Sequence, residues 1–240
     1  MKNSFYIKQT LSTNALSWEM NREKSLTEGF VVYTDFQTEG KGQPGNSWES
    51  ARTKNLLFSL VLHPLQVPVA EVFLLSQLVS VALKTTLDEY TADITVKWPN
   101  DIYWKDLKLG GILIENSLQG NKIKTVVIGI GLNVNQKSFE SDAPNPVSLL
   151  QITGKSLNRK QLLQKIHSNM MRLYSGLDRK KIRAKYAESM YRKDGFHVYR
   201  AENENFSGKI TRVMPDGQLE LETANGEQKK YYFKEVQFIL

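Results

Sequence analysis

Apolar runs of strand length alternate with longer amphipathic segments from one end of the chain to the other. Phe5-Tyr6-Ile7, Phe30-Val31-Val32-Tyr33 and residues 55–63 read as strands, the last with Leu56, Phe58, Leu60 and Leu62 on one face. Ser12-Thr13-Asn14 precedes an amphipathic run with Leu16, Trp18 and Met20 that ends near Lys24. Ser, Thr and Asn accept hydrogen bonds from free helix amides, so a helix is predicted to begin there. Pro68 sits at a favoured helix start, and residues 69–90 carry a stripe of Val72, Leu75, Val79, Ala82 and Leu83, widened by Phe73 and Leu74. After the proline-rich Pro144-Asn145-Pro146 and the following Val147-Ser148-Leu149-Leu150, Ser156 is predicted to cap a helix containing Leu162, Leu163, Ile166, Met170 and Leu173. Ser175-Gly176 breaks it, and a further helix carries Ile182, Tyr186 and Met190.

Residues 97–133 form the most informative stretch. Strand-length apolar runs are separated there by Pro99-Asn100-Asp101, Lys105-Asp106 and Gln119-Gly120-Asn121, which is the pattern of a β-meander. Pro99 cannot donate a ladder hydrogen bond, so one strand is predicted to stop near Trp98. Side chains alternate faces along a strand, so Val126, Ile128, Ile130, Leu132 and Val134 share a core face. Gly129, Gly131 and Asn133 share the other face, which carries little but backbone; Gly110 and Gly111 are equally bare just after Lys108. A glycine within a strand marks a bulge or a close approach. The pattern suggests a floor for a flat anionic ligand, with Lys108 supplying a cation. Tight strand-on-strand packing beside a solvated lysine accounts for the same residues.

From Phe196 onward the elements shorten. His197-Val198-Tyr199, residues 206–213, 219–223, 228–233 and 236–240 read as five strands, with Asp216-Gly217 and Asn225-Gly226 as hairpin turns. So many short strands suggest a small barrel. The expected division is a domain over 1–193 and a second over 194–240, meeting near Asp194-Gly195.

Composition narrows the chemistry. The 240 residues contain no cysteine, which excludes disulfides, thiolate metal sites and cysteine nucleophiles. The three histidines, His63, His167 and His197, show no metal-ligand spacing. No apolar run approaches the roughly 20 residues of a membrane span, and the start lacks a signal-peptide segment, so no membrane contact and a cytoplasmic location are expected. Of the net charge of +7, residues 155–193 supply +10 (12 Lys/Arg against Asp178 and Glu188), leaving −3 elsewhere. A solvated helical face explains this run; a nucleic-acid patch is the rival, without the stacking aromatics or recognition helix to support it.

One more segment carries candidate chemistry. Gly40-Lys41-Gly42-Gln43-Pro44-Gly45-Asn46-Ser47-Trp48 is too rich in glycine for regular structure and can fold amides and Lys41 around a phosphate, although it is not a P-loop. Taken in order, Ser12-Thr13-Asn14, Gln37, this loop, Lys97-Trp98-Pro99-Asn100-Asp101, then Lys108-Leu109-Gly110-Gly111-Ile112-Leu113 and Gly129-Ile130-Gly131-Leu132-Asn133 resemble the biotin–protein ligases. The most specific element is the 97–101 motif followed seven residues later by Lys108. The loop departs from the family's Gly-Arg-Gly at Lys41, which keeps charge but lacks the planar fork of arginine, and Pro44 stands where a basic residue is common.

The resemblance implies an α+β fold: a mixed-sheet ligase domain with helices, plus a small SH3-like barrel at the C-terminus. It implies biotin and ATP as substrates, magnesium, and transfer through biotinyl-AMP to a lysine of a biotin carboxyl carrier protein. It further implies that Lys108, Lys41 and Asp101 are catalytic. Biotin would meet Ser12, Thr13, Asn14, Gln37, Gly40, Lys41, Gly42, Gln43, Trp48, Lys108, Gly110 and Gly111. ATP or AMP would meet Lys41, Asn100, Lys108, Gly129, Gly131 and Asn133. The chain is expected to lack the helix-turn-helix domain of repressor-type members and so to bind no DNA, and to be a monomer or homodimer. A lipoate–protein ligase is the nearest alternative of the same fold.

Overall fold

The computed structural model of the chain describes residues 3–140 and 145–239. Pro144 of the proline-rich loop and Leu240 of the last expected strand lie outside the described residues, as do Met1 and Lys2. The first part runs β1 (Ser4–Ile7), α1 (Thr13–Lys24), β2 (Phe30–Thr34), β3 (Leu56–Leu62), α2 (Phe73–Leu87), β4 (Ile94–Lys97), β5 (Asp101–Trp104), β6 (Leu107–Gln119) and β7 (Lys122–Leu132). Then come α3 (Leu149–Thr153), α4 (Arg159–Gly176) and α5 (Arg179–Ser189). The final part holds β8 (His197–Ala201), β9 (Glu204–Val213), β10 (Leu219–Thr223), β11 (Gln228–Tyr231) and β12 (Gln237–Phe238).

The expected meander is present: β4, β5, β6 and β7 are consecutive antiparallel neighbours. β3 pairs antiparallel with β7, β2 with β3, and β1 closes the edge in parallel with β2. The result is a mixed seven-stranded sheet in the order β1-β2-β3-β7-β6-β5-β4. β4 stops at Lys97, and the Trp98–Pro99 peptide that follows is cis.

The two faces of this sheet differ. Phe58, Leu60, Leu62, Val126, Ile128, Ile130 and Leu132 are buried on one side together with α2, α4 and α5. By length and composition the stretch Val69–Leu87 is apolar enough to cross a membrane. That corrects the expectation of no such run. Its apolarity is explained by position: Leu74, Leu75, Leu78, Val79, Ala82, Leu83 and Leu87 are all core. α1 crosses the other face, where Leu26, Val61 and Val127 form a small separate cluster with Trp18, Met20 and Phe30.

Several boundaries differ from the sequence expectation. The helix over Val69–Glu71 is a single 3-10 turn, and α2 proper begins at Phe73. Asn158, not Ser156, caps α4, its side chain accepting from the Gln161 amide. The reason lies upstream: the Asn135 side chain clamps Leu157 through both its amide and its carbonyl, engaging the backbone just before Asn158 and delaying the helix. Residues expected only to end a loop form α3, closed at its start by a reciprocal capping box between Ser148 and Gln151.

The last five strands form an antiparallel sheet in the order β11-β10-β9-β8-β12, with Gly217 and Gly226 at positive φ in the two predicted turns. This second sheet docks on the first part through specific contacts. The Trp98 indole N–H donates to the Gly217 carbonyl (2.8 Å), and a Cβ at Gly217 would lie 2.7 Å from the Phe73 ring. Arg192 donates to the Ile239 carbonyl (2.7 Å).

The basic run is partly committed within the chain. Arg159 pairs with Asp35 (2.8 Å), Lys165 with Glu89 (2.6 Å), and Arg179 and Arg183 share Glu71 (3.1 and 3.2 Å). The histidines hydrogen-bond to carbonyl groups: His63 to Leu26, His167 to Gly29 and His197 to Asp194. Among the described residues no three His, Asp or Glu side chains cluster as a metal site.

Phe58 is fully buried at the centre of the sheet, so Phe58→Ala is expected to cost about 3–5 kcal/mol in urea unfolding. Leu118→Ala, at an exposed strand position, should stay within about 0.5 kcal/mol in the same measurement.

Candidate active site

The α1 side of the seven-stranded sheet carries two rows of paired residues. In the first, Ser59 of β3, Gly129 of β7 and Leu113 of β6 lie side by side. In the second, Leu57, Gly131, Gly111 and Asp101 cross four strands. The glycines make close approaches possible. A Cβ at Gly129 would lie 2.4 Å from Asn14 Oδ1, and one at Gly131 would lie 2.4 Å from Cε2 of Trp48. Both are closer than any side chain tolerates. The Asn14 side chain and the Trp48 ring therefore lie flat on main chain.

Over these rows opens a cavity of about 410 Å³, within the usual range for small-molecule sites. Its first end is polar and built from α1. Ser12 stands at the N-cap position without a side-chain cap bond. The Thr13 amide donates to Gln37 Oε1 (2.7 Å), with the Thr13 hydroxyl 3.0 Å from the same oxygen. Asn14 donates through Nδ2 to Glu115 Oε2 (2.7 Å).

The other end is charged. Lys108 Nζ lies 2.8 Å from Asp101 Oδ1 and 5.8 Å from the centre of the Trp48 ring. The Lys108 backbone is held on both sides, its N–H donating to the Asn145 carbonyl (2.7 Å) and its carbonyl accepting from Val147 (2.9 Å). Lys97, the third lining lysine after Lys41 and Lys108, donates to the Tyr103 hydroxyl (3.0 Å) beneath the Phe238 ring. Burial pulls its ammonium below the ordinary lysine range, partly opposed by Asp101. Three lysines against the single carboxylate of Asp101 leave the lining net positive among the described residues. Such a wall favours anionic ligands.

Residues 40–48 arch over this cavity. They form a small hairpin rather than the irregular loop expected from their glycine content. Gly42 N–H donates to Asn46 (2.9 Å), Asn46 N–H to Gln43 (2.8 Å) and Trp48 N–H to Gly40 (2.9 Å), so the segment pairs with itself. Gly40 permits this, because a Cβ there would meet the Trp48 carbonyl at 2.6 Å. Lys234, in the turn between β11 and β12, donates to the Pro44 carbonyl (2.7 Å), tying the hairpin tip to the C-terminal part.

Residues 6–133 match the model of the biotin/lipoate A/B protein ligase family. The chain belongs to that family. The bifunctional ligase/repressor BirA of Bacillus subtilis is 32% identical over 214 residues, covering 85% of this chain and 65% of that protein. This chain thus spans just under two thirds of that relative's length. The biotin–acetyl-CoA-carboxylase ligase of Mycobacterium tuberculosis is 28% identical over 216 residues, 88% of this chain and 75% of its own. Among solved structures, the biotin protein ligase of Aquifex aeolicus in complex with biotin and ATP superposes with a TM-score of 0.81 at 26% identity, covering 100% of both chains.

Most of the residues that the family resemblance singled out meet at this cavity: Ser12, Thr13, Asn14, Gln37, Lys41, Gly42, Gln43, Trp48, Asn100, Asp101, Lys108, Gly111, Gly129 and Gly131 all line it. Gly40, Gly110 and Asn133 do not appear in its lining. Gly110 faces its own sheet, 3.0 Å from the Gly131 carbonyl measured from a built Cβ. Asn133 is buried with Oδ1 unpartnered. The Asn100 side chain donates to the Ile112 carbonyl, holding the turn against β6. Two sets of residues had no expected role. Phe233, Val236, Gln237 and Phe238 bring the second sheet to the cavity rim, and no local spacing signals that. Ser59 and Glu115 hold Asn14 from either side; a serine inside the otherwise apolar Leu56–Leu62 run was a visible signal.

Gly129→Ala is expected to displace Asn14 and cost about 1–3 kcal/mol in chemical denaturation. Gly176→Ala, where a Cβ meets nothing within 4 Å, serves as the neutral control.

Proposed function

We propose that this chain is an ATP-dependent biotin–protein ligase, cytoplasmic, with its catalytic unit in residues 1–193 and a second unit in 194–240. The supporting observation is the two-ended cavity: a hydrogen-bonding wall at Thr13, Asn14 and Gln37, and a lysine-rich end at Lys108, joined by a glycine-bared floor.

The chemistry follows from the charges. Biotin carboxylate attacks the α-phosphate of ATP; a carboxylate–phosphorus bond forms, the bond to the pyrophosphate breaks, and biotinyl-AMP results. Both reactants are anionic, so fixed cations must offset their repulsion in the transition state. Lys108 is assigned to the biotin carbonyl and the α-phosphate, with Asp101 holding it in place until substrates arrive. Lys41 closes over the phosphates from the hairpin. In the second step the ε-amine of a lysine on a biotin carboxyl carrier protein attacks the anhydride carbonyl and AMP leaves. Asp101 accepts the amine proton or helps hold magnesium. It is the one carboxylate lining the cavity among the described residues, so magnesium would be held chiefly by the ATP phosphates and water. There it would supply further charge neutralisation. Adenine was expected at Asn133, but that side chain is buried outside the cavity lining, so no adenine contact is assigned to it.

Lipoate ligation uses the same fold and the same acyl-adenylate. Incubation with ATP, magnesium and either acid, followed by pyrophosphate release, separates the two: biotin is expected to drive release and lipoate to leave it at background. The opposite result overturns the proposal. Lys108→Ala should lower biotin-dependent pyrophosphate exchange by about 10²–10³-fold, in the range for losing one transition-state charge contact, with biotin affinity in calorimetry nearly unchanged. Exchange at the wild-type rate removes Lys108 from its role. Biotin with ATP should also slow proteolytic cleavage within residues 40–48, because a hairpin of so few internal bonds gains order from its ligand.

A further inference from the structure

Lys41, Lys97 and Lys108 all line the cavity. The reaction assigned to it makes a mixed anhydride, and mixed anhydrides acylate lysine amines; transfer to the carrier uses that same reactivity. The three cavity lysines are therefore exposed to the reagent made beside them. Two of them are committed elsewhere. Lys108 Nζ lies 2.8 Å from the Asp101 carboxylate. Lys97 donates to the Tyr103 hydroxyl (3.0 Å), with the centres of the Tyr103 and Phe238 rings 4.7 and 5.5 Å from its ammonium. Burial eases the loss of a proton from Lys97, yet these two rings fix where its nitrogen sits.

Lys41 differs from both. It is exposed, and among the described residues no hydrogen bond or ion pair holds its ammonium. Gly40 and Gly42 flank it, so the backbone on either side has wide conformational freedom. The hairpin nevertheless keeps it over the cavity. Lys41 pairs across the hairpin with Ser47, one residue from Trp48. The Trp48 ring rests on Gly131, its centre 5.8 Å from Lys108 Nζ. An unpaired lysine is thus tethered at the charged end, where the anhydride forms.

We propose that Lys41 is a self-acylation site: without a carrier protein, the acyl-adenylate made in the cavity transfers its acyl group to the Lys41 side chain of the same molecule. The step balances without a further reactant. Lys41 Nζ bonds to the acyl carbon, the bond from that carbon to the phosphate oxygen breaks, the electron pair leaves with AMP, and the surplus amine proton passes to water. Lysine amines are largely protonated near neutral pH, so the step is slow beside transfer to a carrier. Tethering raises its rate by holding both reactants at high effective concentration. The amide product has lost the positive charge that Lys41 brings to the phosphates, and its acyl chain stays tethered at the cavity. An enzyme that activates biotin with no carrier to receive it thereby shuts itself down. Self-acylation rests on the ligase reading of the cavity and extends it to a modification of the enzyme itself.

The test uses the full chain with biotin, ATP and magnesium and no carrier. Intact mass and peptide mapping follow the biotinyl label, while pyrophosphate exchange follows activity over the same period. Wild type is expected to gain a single label per chain, at Lys41 in about tenfold excess over any other lysine, the mark of a tethered reaction. Its exchange activity should fall in step with the label. Lys41→Arg keeps a cation but offers no acylatable amine: its exchange, whatever the initial rate, should hold constant, with no label at position 41. Mixing wild type with Lys108→Ala, told apart by mass, tests the tether. The Lys108→Ala chain keeps Lys41 but makes little anhydride of its own, so it should carry less than about a tenth of the wild-type label. Equal label on the two chains, label at Lys97 or Lys108 instead, label spread over the exposed lysines of residues 155–193, or biotin-driven pyrophosphate release with Lys41 unlabelled overturns the self-acylation site. Wild-type protein that releases no pyrophosphate with biotin overturns the ligase reading beneath it.

Discussion

The close approach of side chains to bare backbone at Gly129 and Gly131 is the constraint on which the rest of the site depends. A sheet normally keeps neighbouring layers about 10 Å away by its own side chains. Here two rows lack them, and Asn14 and Trp48 lie directly on main chain. The buried opposite face of the same strands, with Phe58, Ile128 and Ile130, keeps that backbone rigid. A rigid, side-chain-free floor brings a hydrogen-bonding group from α1 and an aromatic ring from the hairpin into one shallow space.

Charge is arranged around this floor with economy. Lys108 is held by backbone bonds on both sides and by Asp101 at its tip, so its ammonium is presented to the cavity without the entropy of a free lysine. Lys97 is kept deeper, against Tyr103 and Phe238. In this way Lys97 links the cavity to the C-terminal sheet, and Lys234 makes a second link through the hairpin tip at Pro44. The two sheets thus share one site: the first supplies floor and cations, the second closes part of the rim.

Much of this was legible in the chain before any coordinates. The alternation over 126–134 separated a core face from a bare one. The turn residues at 99–101, 105–106 and 119–121 marked the meander. Both signals are local: strand periodicity and turn chemistry act within a few residues, so they survive in a linear reading. The helix starts were less secure, because Ser156 and Asn158 are equally good caps and the choice between them was made by Asn135, more than 20 residues away. The glycine hairpin was missed for a related reason. Its pairing rests on backbone bonds that glycine allows but does not announce.

Residue types alone named the actors: a cation at 108, bare backbone at 129 and 131, a capping triplet at 12–14. Tertiary contact set what each of them meets. That Gly129 makes room for Asn14 and Gly131 for Trp48, that Ser59 and Glu115 stand on either side of Asn14, and that Phe238 reaches the cavity are facts of packing between segments far apart in the chain. Local chemistry dictates secondary structure and which face is apolar. It carries no information about which distant side chain will fill a given gap, because that depends on how whole layers come to rest on one another.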